Sequence, residues 1–98
     1  MLTRDDVFKK LEENKDAIKG FGVRRLGLFG SIVRGESRPA SDLDFLVEFD
    51  DITFDRYFDL KFYMEDLFNV KVDPVPEDSI KPLLRPIIMK EVVYAQGI

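Results

Sequence analysis

Asp42 and Asp44 stand two residues apart at the mouth of an apolar run, in the stretch "LFGSIVRGESRPASDLDFLVEF" that covers residues 28–49. On a strand, residues two apart project to the same face with Cα atoms ~6.6 Å apart. The two carboxylates therefore share one face, while Leu43, Phe45 and Val47 take the other and go to the core. Two carboxylates held this close resist ionising together unless solvent screens them or a cation lies between them, and a divalent metal removes the conflict. The run Val70 to Val75 repeats the arithmetic: Val70 and Val72 point to the core, and Lys71 and Asp73 point away from it. If the two strands are neighbours, Asp73 joins Asp42 and Asp44.

The chain contains neither cysteine nor histidine, so any metal is held by oxygen. Oxygen donors favour a hard ion such as Mg²⁺ or Mn²⁺, which retains water and accepts phosphate oxygens as further ligands. Phosphates need donors of their own, and Gly30-Ser31 is suited to supply them. Glycine lets the backbone approach closely, serine adds a hydroxyl, and a helical turn after it presents free N–H groups to an anion. Arg34 has two uses here: contact with phosphates or a partner, or a structural pair with a carboxylate that fixes the loop. Taken alone, the Asp pair also suits a solvated turn, and Gly30-Ser31 also suits an ordinary strand-ending turn with a helix cap.

These residues must be positioned by the elements around them. Thr3 can cap a helix carrying Val7, Leu11 and Ile18 at helical spacing and ending at Gly20 and Gly22. Val23 to Phe29 reads as a strand that runs into Gly30-Ser31, with one helical turn over residues 31–34, a loop over 36–41 and a second strand from Leu43 to Phe49. Phe54 to Phe68 is the longest predicted helix, with Tyr57, Leu60, Met64, Leu67 and Phe68 on one side. Val70 to Val75 is a third strand, and Pro74 in it suggests an edge and a slightly displaced Asp73. A helix from about Ser79, kinked near Pro86, and a short strand over residues 92–95 complete the order α-β-β-α-β-α-β. The pattern predicts one small α+β domain over residues 1–98, a mixed sheet with helices packed on one face.

Composition narrows the function classes. The 98 residues are 45% hydrophobic and 35% charged, with a net charge of -4. That acidic balance argues against strong, sequence-independent nucleic-acid binding, although Arg24, Arg25, Arg34 and Arg38 could form a local basic patch. No apolar run reaches the ~18 residues needed to cross a bilayer, and the N-terminus lacks a signal-peptide pattern, so a soluble, cytoplasmic protein is expected.

The segment "GSIVRGESRPASDLDFLV" resembles the signature of the minimal nucleotidyltransferases of the DNA polymerase beta superfamily, a G-S-x-x-R-G element followed by S-D-x-D-x-x-V. The match runs through Gly30, Ser31, Arg34, Gly35, Ser41, Asp42, Asp44 and Val47, and "VKVDPV" falls where the family carries its third acid. The resemblance implies the polymerase-beta-like nucleotidyltransferase fold and transfer of a nucleoside monophosphate, favouring AMP from ATP, with release of pyrophosphate. It further implies that Gly30 and Ser31, with Arg34 and Ser41 nearby, hold the nucleotide, that Asp42, Asp44 and Asp73 bind two Mg²⁺ ions, and that Asp73 assists deprotonation of the acceptor.

The third helix adds a surface expectation. Phe58 and Phe62 lie ~100° and ~140° from Tyr57 around the helix, too far for one core, whereas Phe54 is expected inside. An exposed aromatic patch suggests either a second copy, giving a homodimer, or another protein. The family resemblance implies a HEPN-domain toxin as that partner, with a tyrosine hydroxyl as the acceptor and this chain as the antitoxin. An alternative is a binding-type antitoxin, catalytically weak or inactive, that neutralises a HEPN partner by contact. An antibiotic-modifying nucleotidyltransferase fits the chemistry but not the length.

Overall fold

A computed structural model describes residues 2–36 and 42–98. Ser41 and Arg38, both singled out above, lie outside the described residues.

Helix α1 (Arg4–Glu13) starts with a reciprocal cap: the Thr3 hydroxyl accepts from the Asp6 N–H at 3.2 Å, and the Asp6 carboxylate accepts from the Thr3 N–H at 3.0 Å. These bonds satisfy two of the orphan donors at the helix start. The expected single helix to Gly20 is instead split at Asn14, whose side-chain amide donates to the Lys10 carbonyl at 2.8 Å. Asparagine competes with the helix ladder in this way, and the chain restarts as the short α2 (Lys15–Lys19). Val7, Leu11 and Ile18 stay buried across the break, in line with their apolar spacing.

Strands β1 (Val23–Phe29) and β2 (Leu43–Phe49) pair antiparallel, and β3 (Val72–Pro76) joins β2 in parallel after the crossover helix α3 (Phe54–Phe68). The two-residue β4 (Val93–Tyr94) closes a four-stranded mixed sheet of order β3-β2-β1-β4. A bulge between Val23 and Arg25 lets Arg24 and Arg25 both face solvent before alternation resumes at Leu26. One core gathers Val7, Leu11 and Ile18 with Leu26, Leu28, Phe45, Val47, Leu60, Met64 and Val72, which places α1, α2 and α3 against the same apolar face of the sheet.

Two details of α3 matter for the site. Thr53 caps its start, and near its end the Glu65 carboxylate accepts from Lys61 at 2.7 Å and from the Val72 N–H at 3.0 Å, pinning the first residue of β3. β3 therefore begins at Val72 rather than Val70. It is an edge strand, where a proline is tolerated, and Pro74 is buried opposite Phe45 without breaking the register.

The final helix also differs from expectation. It runs as α4 (Arg85–Glu91), with Pro86 in its first turn, where the missing N–H costs nothing, rather than as a helix from Ser79 kinked by that proline. α4 contributes no buried residue, and Leu83, Leu84, Ile87 and Met89 are exposed around it.

Phe54 is the other correction: it is 77% exposed. Spacing of four places Phe54, Phe58 and Phe62 on one outward stripe, with ring centroids 4.6 Å and 5.9 Å apart. No helix among the described residues is long and apolar enough to cross a membrane.

Candidate nucleotide and metal site

β2 and β3 assemble the acidic face. Leu43 pairs with Val72 and Asp44 with Asp73 in the parallel register, so the strands meet as neighbours and their aspartates align. Leu43, Phe45 and Val72 are buried on the other face, which commits Asp44 and Asp73 to the side away from the core. Asp42 immediately precedes β2 and is exposed, as is Asp73, whereas Asp44 is half-buried.

Burial holds the Asp44 carboxyl up at about 6, and the negative charges of Asp73, Asp42 and Glu91 push in the same direction, against a smaller opposing pull from Arg34. Asp44 is thus a carboxylate short of positive charge.

β1 delivers the other half. Phe29 is the antiparallel partner of Asp44, and the chain turns at Gly30 with φ +90°, a region that favours glycine. A Cβ at Gly30 would collide with the Asp44 carboxylate, so the backbone of the Gly-Ser turn and the acidic face are in contact. Past Gly30 the chain makes one tight turn, with the Val33 and Arg34 N–H groups donating to the Gly30 carbonyl at 3.1 and 3.4 Å and the Glu36 N–H donating to the Ser31 carbonyl at 2.9 Å. Ser31 is half-exposed at the start of this turn.

Arg34 is paired with carboxylates in this structure. Its guanidinium donates to Glu36 at 3.0 Å and to Glu91, and those bonds raise its pKa above the ordinary arginine value. Arg24 and Arg25 likewise pair with Asp50 at 3.1 Å and Glu48 at 3.9 Å, so these three arginines of the expected basic patch are each matched by a carboxylate.

Glu91 joins the site without any signal in the sequence around it. It ends α4, accepts from the Gly30 N–H at 3.2 Å and holds Arg34, yet it lies 61 positions from Gly30 in the chain. No local motif marks it, because its role depends on how the last helix returns to β1.

The donor chemistry suits a hard divalent cation: carboxylates only, with Asp44 and Asp73 side by side in register and Asp44 resisting ionisation. Among the described residues no three acidic side chains are drawn together into a ready cage. A separate cavity of about 330 Å³ opens between α1 and β4, lined by Arg4, Phe8, Val93 and Tyr94 among others, and includes none of these site residues.

Comparison with known proteins places the arrangement. The nucleotidyltransferase domain family matches residues 7–95. The chain is similar to the protein adenylyltransferase MntA of Thermococcus cleftensis, 38% identical over 96 residues, covering 96% of this chain and 97% of the relative. Its fold is similar to that of a solved minimal nucleotidyltransferase, with a TM-score of 0.72 and 35% identity over 88% of this chain and 93% of the other. A fold likeness alone, at 18% identity and a TM-score of 0.60, extends to a solved complex of tri-AMPylated Shewanella oneidensis HEPN toxin with MNT antitoxin, covering 89% of this chain and 72% of that one.

Proposed function

Because the chain belongs to the nucleotidyltransferase domain family, we propose that it transfers the AMP group of ATP, with Mg²⁺, to a tyrosine hydroxyl on a HEPN-domain toxin and so acts as its antitoxin. The observation that carries the reading is the contact between the Gly30 turn and Asp44, with Asp73 opposite in register. One element receives phosphates and the other receives metal, and a phosphoryl-group transfer needs both at once.

Asp42, Asp44 and Asp73 would hold Mg²⁺, which supplies charge neutralisation on the phosphates and a lowered pKa for the acceptor hydroxyl. The Gly30-Ser31 turn orients the triphosphate, with Ser41 as a further nucleotide contact. Asp73, exposed at the start of β3, takes the proton of the acceptor hydroxyl. The hydroxyl oxygen bonds to the α-phosphorus, the bond to the β-phosphate bridging oxygen breaks, and pyrophosphate leaves. The similarity to MntA supports an adenylyl donor and a protein acceptor, and the likeness to the HEPN–MNT complex supports the partner class.

The direct test uses ATP labelled at the α- or the γ-phosphorus with Mg²⁺ and a HEPN protein. The proposal expects label on the partner from the α position alone. Transfer from the γ position would mean phosphorylation and refute it.

Neutralisation by contact alone is the second reading. It is favoured by the exposed stripe of Phe54 and Phe62, a surface that binds without chemistry.

A further inference from the structure

The Glu91 carboxylate accepts from the Gly30 N–H at 3.2 Å with one oxygen and from the Arg34 guanidinium with the other. A backbone N–H and a guanidinium at one turn are the donors that a phosphate oxygen would use. We infer that Glu91 is a resident anion in the phosphate-binding turn, and that nucleotide binding must displace it. This rests on the nucleotidyltransferase reading above.

Three observations support displacement over coexistence. The Gly30 N–H has a single hydrogen, so its bond to Glu91 and a bond to phosphate compete. The Glu91 side chain is only 15% exposed, so a phosphate arriving beside it would meet a poorly screened like charge. The element carrying Glu91 is built to yield, since α4 has seven residues, no buried side chain and no side-chain cap at its start.

The consequence is an affinity set by competition within the chain. Binding is weakened by the population in which Glu91 occupies the turn, and a bound nucleotide loosens α4. Arg34 changes duty in the exchange: paired with Glu91 in the free protein, it becomes available to the phosphate.

Calorimetric titration with magnesium tripolyphosphate and with magnesium ATP, on wild type, Glu91→Gln and Glu91→Ala, tests this. Both variants are expected to bind about tenfold more tightly or better. In the wild type, tripolyphosphate should also accelerate exchange of the Val92 amide, which is bonded to the Ile88 carbonyl at 2.9 Å. Should the variants fail to fold, that exchange measurement decides, and an unchanged rate overturns the inference. If wild type binds and the variants bind equally or less well, Glu91 is a brace and the inference fails while the nucleotidyltransferase reading stands. If none of the proteins binds either ligand, both fail.

Discussion

Asp44 on β2 and Asp73 on β3 face each other across a parallel strand pair, with the Gly30 backbone against the Asp44 carboxylate. Like charges aligned in this way oppose one another, and a cation between them, as proposed above, would relieve the repulsion. The proposed function and stability therefore oppose one another at this position.

Replacing Asp44 by Asn should stabilise the metal-free protein at neutral pH while abolishing transfer. The gain is expected to be on the order of 1–2 kcal/mol, less than the full proton-linkage value because Asp44 is only half-buried. Thermal unfolding in chelator reads it, and a destabilised variant would contradict the assignment of Asp44 as a carboxylate that burial and neighbouring charge penalise.

The same gain depends on pH. In the folded protein Asp44 holds its proton up to about 6, against an ordinary value of 3.8, so the folded state binds that proton more tightly than the unfolded chain. The stability it contributes is complete below the ordinary value and lost as pH rises through about 6. Asp44→Asn should thus outperform wild type above about pH 6 and converge with it toward about pH 4. Mg²⁺ should raise the unfolding temperature of wild type more on the alkaline side. A variant-to-wild-type gap that is constant across this range would show that ionisation of a buried, repelled Asp44 carboxyl is not its cause.

Gly30→Ala combines an unfavourable φ of +90° with a Cβ directed into Asp44. A loss on the order of 1–3 kcal/mol is expected, together with loss of nucleotide binding. Denaturant unfolding and calorimetry check the two parts, and an unaffected variant would mean that the turn is not built around this contact.

The aromatic stripe makes the opposite kind of prediction. Phe54→Ser and Phe62→Ser remove side chains that are 77% and 56% exposed, so stability should change by no more than about 0.5 kcal/mol. Binding to a HEPN partner, measured by co-elution, should weaken sharply. Unchanged binding would move the interface elsewhere, with the exposed Leu83, Ile87 and Met89 around α4 as the next surface to test.

Much of the fold and the acidic face is legible in the chain because the periodicities are local. The alternation around Leu43, Phe45 and Val47 is enough to place the aspartates, and the helix positions of Leu60 and Met64 are enough to place the core. Where the pattern misleads, a competing interaction outweighs it. Asn14 bonds back to its own helix and splits it, Glu65 captures the Val72 N–H and fixes where β3 begins, and Phe54 follows Phe58 and Phe62 outward rather than joining Tyr57. Pro74 looks like a threat to Asp73 in the sequence, but on an edge strand its missing N–H leaves the register intact. Glu91 is beyond the reach of local pattern, since its partners Gly30 and Arg34 lie far from it along the chain.

On the proposed function the acidic face carries out chemistry on a bound nucleotide rather than serving as scaffold for a binding surface. The most direct measurement is transfer of label from α-labelled ATP to a HEPN partner by wild type, Asp42→Ala and Asp44→Ala, with toxin neutralisation followed in parallel. Labelled partner is expected with wild type and none with either variant, and neutralisation is expected to be lost along with the label. Neutralisation that persists in both variants, with no label transferred by any of the proteins, would contradict it.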